Sequence, residues 1–128
     1  MKSLKTLILA ITAVFFVACG GGDSTKLSSQ YLKGDEVVKE MSNPDSVIID
    51  VRIKDQFDAG HIDGALNIPL ADIDANMDKF KSLNGKKIIF YCNTGKQSGQ
   101  AAKKLEEKGI KNVFNADGVK NYNYNLVK

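Results

Sequence analysis

Cys92 is the residue of this chain best placed to do chemistry. It follows the apolar run Ile88-Ile89-Phe90-Tyr91 and precedes Asn93-Thr94-Gly95-Lys96-Gln97-Ser98, a polar stretch with one glycine that leads into helix-forming residues. A cysteine set where a strand gives way to a helix faces a ring of backbone N–H groups and the positive end of a helix dipole. Both favour thiolate over thiol, and the thiolate is the nucleophilic form. Lowering a thiol pKa from about 8.5 to about 6.5 takes about 2.7 kcal/mol of preference for the anion. A helix N-terminus supplies about 0.3–1 kcal/mol, and up to about 2 in partly buried sites. The remainder falls to amide hydrogen bonds from residues 93 to 97, which converge if Gly95 adopts a positive φ. Lys96 adds a screened attraction if its ammonium turns toward the sulfur, and is otherwise a solvated surface lysine.

The other reactive residue types are few. His61 is the single histidine; a Cys–His dyad is one use for it and a structural hydrogen bond the other. One histidine and one free cysteine do not make a metal site, and no cofactor motif is present. A phosphatase loop needs an arginine closing Cys-x5-Arg on the anion, and that position is Ser98. Arg52 is the only arginine among 18 basic residues, which suits a place that wants a planar fork over a point charge. With Asp50 it ties loops together beside the site, direct contact with substrate being the alternative.

Periodicity and breakers indicate the elements that must hold these residues. Tyr31-Leu32 is ambiguous. Residues 34 to 41 suit a helix with Val37, Val38 and Met41 on its packed side, broken at Asn43-Pro44-Asp45. Val47-Ile48-Ile49 reads as a strand covered on both faces, ending at Asp50-Val51-Arg52. Residues 54 to 59 form a short helix closed by Gly60, and 65 to 68 a strand stopped by Pro69. Ile73, Met77 and Phe80 make 71 to 83 helical at least in part, and Asn84-Gly85 turns the chain into a strand over 87 to 91. Residues 98 to 108 are the clearest helix, with Ala101, Ala102 and Leu105 inward and Gly109 as its cap. Val113-Phe114 is a last short strand, and Asp117-Gly118 turns into a terminal segment with Tyr122, Tyr124 and Leu126. The alternation predicts an α/β fold, a mostly parallel sheet of about five short strands with helices on both faces. Sites of such folds lie beyond the carboxyl ends of strands, where Asp50-Val51-Arg52 and Tyr91-Cys92 both fall.

The first residues stand apart. Lys2 and Lys5 precede an apolar run from Leu7 to Ala18, then Cys19 and Gly20-Gly21-Gly22. The run is shorter than the roughly 20 residues that span a bilayer, so 1–18 reads as a cleaved export signal. Phe16-Val17-Ala18-Cys19 resembles the lipobox of bacterial lipoproteins, with Cys19 lipidated; a plain secreted protein is the alternative. Residues 19–30 read as a flexible tether and 31–128 as a single domain. A lipidated Cys19 leaves Cys92 without an intramolecular partner in an oxidising compartment. Without Lys2 and Lys5 the formal charge falls from +3 to +1, which makes no case for nucleic acid.

Two motifs carry a resemblance. Asp50-Val51-Arg52, Phe57 and then Gly60-His61-Ile62-Asp63-Gly64-Ala65-Leu66-Asn67-Ile68-Pro69 are similar to the signature of the rhodanese domain. The stretch Cys92 to Gln100 resembles the active loop of its small periplasmic phage-shock subgroup. The likeness runs from about Asp35 to Val119. It implies a monomeric single-domain thiosulfate sulfurtransferase in which Cys92 takes the outer sulfur of thiosulfate and passes it to cyanide or a thiol. It also implies that Asn93, Thr94, Gly95, Lys96, Gln97 and Ser98 bind the substrate. Asn93 and Gln97 stand where many members have arginine, Gln56 where the signature has glutamate, leaving Arg52 one partner short, and Asp117 where a glycine is common. Two other functions stay open: a persulfide carrier or thiol redox protein with a different donor, and a lipoprotein that uses the fold for binding alone. An exported domain, held on the periplasmic side or cell surface by lipid at Cys19, is expected in each case.

Overall fold

The computed structural model describes residues 30–83 and 85–128. The predicted signal peptide 1–18, the predicted lipidation site Cys19, the predicted tether up to residue 29, and Asn84 of the predicted turn lie outside the described residues. In chain order the elements are β1 (Tyr31–Leu32), α1 (Gly34–Glu40), β2 (Ser46–Asp50), α2 (Lys54–Ala59), β3 (His61–Ile62) and β4 (Leu66–Asn67). Two 3-10 turns, Leu70–Asp72 and Asp74–Asn76, lead into α3 (Met77–Ser82), followed by β5 (Lys87–Tyr91), α4 (Lys96–Glu107), β6 (Val113–Ala116) and β7 (Leu126–Val127).

Five strands form one sheet in the order β1-β6-β5-β2-β4, every neighbouring pair parallel. β5, which delivers Cys92, is the central strand, in register with β2 from Ser46↔Lys87 to Asp50↔Tyr91. The strand pleat sends alternate residues to opposite faces. Ile88, Phe90 and Cys92 therefore pack with Phe80 of α3 and Ala101, Ala102 and Leu105 of α4. Ile89 and Tyr91 pack on the other face with Val37 of α1, Ile62 and Tyr124. Helices cover both faces, as the alternating pattern predicts.

Four details differ from the expected layout. An antiparallel ribbon of β3 and β7, pairing His61 with Val127 and Ile62 with Leu126, brings the C-terminal segment back over the Tyr91 face, a long-range pairing that two-residue strands do not announce. Val38 and Met41 are exposed and only Val37 of that trio is buried, because a seven-residue helix turns one narrow stripe inward. α4 begins at Lys96, two residues before the predicted start at Ser98. β6 runs on to Ala116, since its pairing with β1 extends the ladder beyond the apolar dipeptide.

Candidate functional site

The cysteine loop is three residues long. Gly95 has φ +92° and turns the chain so that α4 starts at the next residue; only a residue without Cβ adopts that conformation at no cost. Asn93, Thr94 and Gly95 form the loop, while Lys96, Gln97 and Ser98 form the first turn of α4 with its free amides. Cys92 lies beneath, 2% exposed. The Gly95 N–H donates to its Sγ at 3.1 Å and the Ser98 N–H at 3.4 Å, and the Ser98 Oγ lies 3.4 Å away. Burial opposes ionisation, but the hydrogen bonds from the Ser98, Thr94 and Gly95 amides favour it. The thiol is held below its ordinary pKa.

Residues at the end of β6 and just beyond it lock this loop in place. Asn115 donates from Nδ2 to the Gly95 carbonyl at 3.0 Å, and its Oδ1 accepts the Ser98 hydroxyl at 2.6 Å. The Val119 N–H donates to the Cys92 carbonyl at 3.0 Å and the Lys120 N–H to that of Asn93 at 2.9 Å. Gly118 makes the approach possible: a Cβ there would stand 2.2 Å from the Asn93 oxygen. The contacts of Asn115, Gly118 and Lys120 with the loop escape sequence reasoning, which reads Gly118 as a turn residue and has no local mark for the other two. The one signal these residues carry is that they lie at or just beyond the carboxyl end of a parallel strand.

Over the loop lies a cleft of about 440 Å³ lined by Ile53, Gln56, Asn93, Thr94, Lys96, Gln97 and Lys120. The predicted binding residues thus divide into two sets. Asn93, Thr94, Lys96 and Gln97 line the cleft, whereas Gly95 and Ser98 are buried and turned toward sulfur. Gln56 accepts a hydrogen bond from Asn93 Nδ2 at 3.3 Å, which joins the two neutral side chains at the positions where glutamate and arginine were expected.

Asp50 and Arg52 brace the sheet from its other side. The guanidinium meets the Asp50 carboxylate through Nε at 3.0 Å to both oxygens and through Nη2 at 2.7 Å, and Nη2 also donates to the Gly60 carbonyl at 2.7 Å. Gly60 supplies the partner that Gln56 does not. Arg52 sits over the Tyr91 ring, 5.8 Å from its centroid, so the pair belongs to the face opposite Cys92 and lines no part of the cleft. His61 donates from Nδ1 to the Phe57 carbonyl at 2.8 Å and stacks on the Phe57 ring. This engagement closes the end of α2 and is the structural use. Asp117 accepts from the Tyr31 hydroxyl and, at 2.8 Å, from the Gly34 N–H, tying β1 and α1 to the end of β6. Among the described residues no group of three or more His, Cys, Asp or Glu side chains could hold a metal ion.

Known proteins share sequence and fold with this chain. A family model described as the Rhodanese-like domain matches residues 33–120. Thiosulfate sulfurtransferase PspE of Escherichia coli (strain K12) is 40% identical over 72 residues, 56% of this chain and 69% of that protein. A tRNA uridine(34) hydroxylase of Hamiltonella defensa subsp. Acyrthosiphon pisum (strain 5AT) is 30% identical over 95 residues, and there this chain spans only 27% of the relative's length. A rhodanese from E. coli solved with anions superposes with a TM-score of 0.58 at 38% identity, covering 65% of this chain and 98% of that one.

Proposed function

Because the chain belongs to the rhodanese-like domain family, we propose that it is a sulfurtransferase that carries sulfane sulfur through a persulfide on Cys92. The observation that carries this reading is the convergence of the Gly95 and Ser98 amides on a buried sulfur beneath an open, lysine-bearing cleft. The Cys92 thiolate attacks the outer sulfur of thiosulfate or a related donor. A bond from Sγ to that sulfur forms, the donor's S–S bond breaks, and its electron pair leaves with sulfite. Cyanide or an acceptor thiolate then attacks the outer sulfur, releasing thiocyanate or a new persulfide and restoring the Cys92 thiolate. Both leaving groups are weak bases in their anionic form, so neither half needs a proton donor. The site has to stabilise anions, and fixed amide donors do so without reorganising. Since ionisation is favoured in the folded protein, sulfur uptake rises with pH through a pKa below that of a free thiol.

Fixed positive charge at the cleft comes from Lys96 and Lys120, with neutral Asn93 and Gln97 between them. Lys120→Met is expected to raise KM for thiosulfate by about 2- to 5-fold with little change in kcat, the effect of one solvent-screened charge on binding. Steady-state kinetics at two salt concentrations check it, because the loss shrinks as salt rises. The neutral pair also favours a second reading, a persulfide carrier loaded by a donor other than thiosulfate. Intact mass spectrometry of the mature protein decides between them: a one-sulfur gain with thiosulfate supports the first, and a gain only with cell extract the second. The same spectrum tests the proposal that the domain is exported and anchored by lipid on Cys19, since removal of residues 1–18 and acylation both change the mass.

A further inference from the structure

Ser98 has one hydroxyl proton and two neighbours that compete for it. Its Oγ lies 2.6 Å from Oδ1 of Asn115 and 3.4 Å from Sγ of Cys92. The Asn115 amide is oriented by its other end, where Nδ2 donates to the Gly95 carbonyl at 3.0 Å. Turning the amide over would set two oxygens against each other, so Oδ1 faces Ser98 and can only accept. The 2.6 Å bond therefore uses the Ser98 proton. What the serine presents to Cys92 is a lone pair, which suits S–H and opposes S⁻.

We propose that Asn115 is a positioning residue that holds the Ser98 hydroxyl turned away from Cys92 and so restrains ionisation of the thiol. In the thiol state Cys92 S–H donates to Ser98 Oγ, and Ser98 O–H donates to Asn115. When the thiol proton leaves to solvent, the serine either swings its O–H from Oδ1 to Sγ, leaving Asn115 without that donor, or keeps it and sets a lone pair against the anion. Both outcomes disfavour the thiolate, and both disappear when position 115 carries no acceptor. The loop amides pull the thiol toward ionisation, and the Ser98–Asn115 pair opposes them. A thiol so held is slower to oxidise between turnovers than a free thiolate.

The charged and titratable groups around the site are Lys96 on α4, Lys120 and Asp117 after β6, and Tyr31 on β1; the pair of Asp50, at the end of β2, and Arg52 lies on the other face. Replacing Asn115 leaves all of them in place. The Gly95 carbonyl also keeps the Gly99 N–H at 3.1 Å, so it is not stranded. The inference rests on Cys92 as nucleophile, and its test is independent of any sulfur donor: the rate of alkylation by iodoacetamide against pH. Asn115→Leu is expected to lower the pKa in that profile by about 0.5–1 pH unit, or about 3- to 10-fold more thiolate at a pH below it. In a Ser98→Ala background the same substitution is expected to shift nothing. A raised pKa, or an equal shift with and without Ser98, overturns the inference, because loosening the loop would act in both backgrounds. Asn115→Ala repeats the comparison if leucine does not fit. A protein that ignores thiosulfate yet shows the serine-dependent shift would reject the reaction and keep this inference; the reverse pattern would reject this inference alone.

Discussion

Cys92→Ala is expected to reduce thiosulfate:cyanide turnover to the uncatalysed rate, a loss of about a thousandfold or more, and to remove the one-sulfur mass gain altogether. Every bond made or broken in the proposed reaction involves the sulfur at this position, so no neighbouring group can take a share of the work. Ser98 places a hydroxyl at 3.4 Å, but an alcohol is scarcely ionised at neutral pH and forms no persulfide. Deleting one buried sulfur leaves the packing of Ile88 and Phe90 on the same face largely intact. A folded, inactive protein is therefore the expected product, and circular dichroism beside the activity assay checks it. Retention of full activity would move the chemistry away from the loop and end the persulfide reading.

The largest expected effect on stability lies on the opposite face of the sheet. Asp50 is fully buried and Arg52 is 5% exposed. Arg52→Met would leave the Asp50 carboxylate with neutral donors only, the residue 52 backbone N–H at 2.9 Å and the Tyr91 hydroxyl. Stranding a buried charge in this way costs about 3–5 kcal/mol, far more than the intact pair contributes over an apolar replacement. Urea denaturation is expected to show a midpoint lowered accordingly at constant slope. The double variant Asp50→Asn/Arg52→Met should recover much of the loss, because asparagine still accepts the residue 52 amide and carries no charge. A cost below about 1 kcal/mol for the single variant would mean that water or a new partner reaches Asp50.

Several features could be read without coordinates because each is a local matter of residue type and spacing. The β-branched run at Val47-Ile48-Ile49, the apolar run into Cys92 and the stripe of Ala101, Ala102 and Leu105 declare their own periods. Together they imply a parallel sheet whose carboxyl edge holds the cysteine. Gly95 announces its turn for the same reason, since its φ of +92° is a property of one residue. The division of labour within 93 to 98 was not readable. The five polar residues around Gly95 look alike in sequence, and only the start of α4 at Lys96 decides which side chains face the cleft and which amides face sulfur.

What the sequence by itself determined is the candidate nucleophile and the edge of the sheet that carries it, since both follow from short-range pattern. Tertiary structure alone decided the partners. Asn115 lies 20 residues from Gly95 along the chain and 17 from Ser98, and Gly118 reaches the Asn93 carbonyl only because β6 pairs beside β5. It also decided that Asp50 and Arg52 turn away from Cys92, because the pleat that buries Cys92 with Phe90 places the neighbouring Tyr91 and its Arg52 contact on the other face. Such contacts depend on which strands become neighbours in the folded sheet, and no local spacing encodes that.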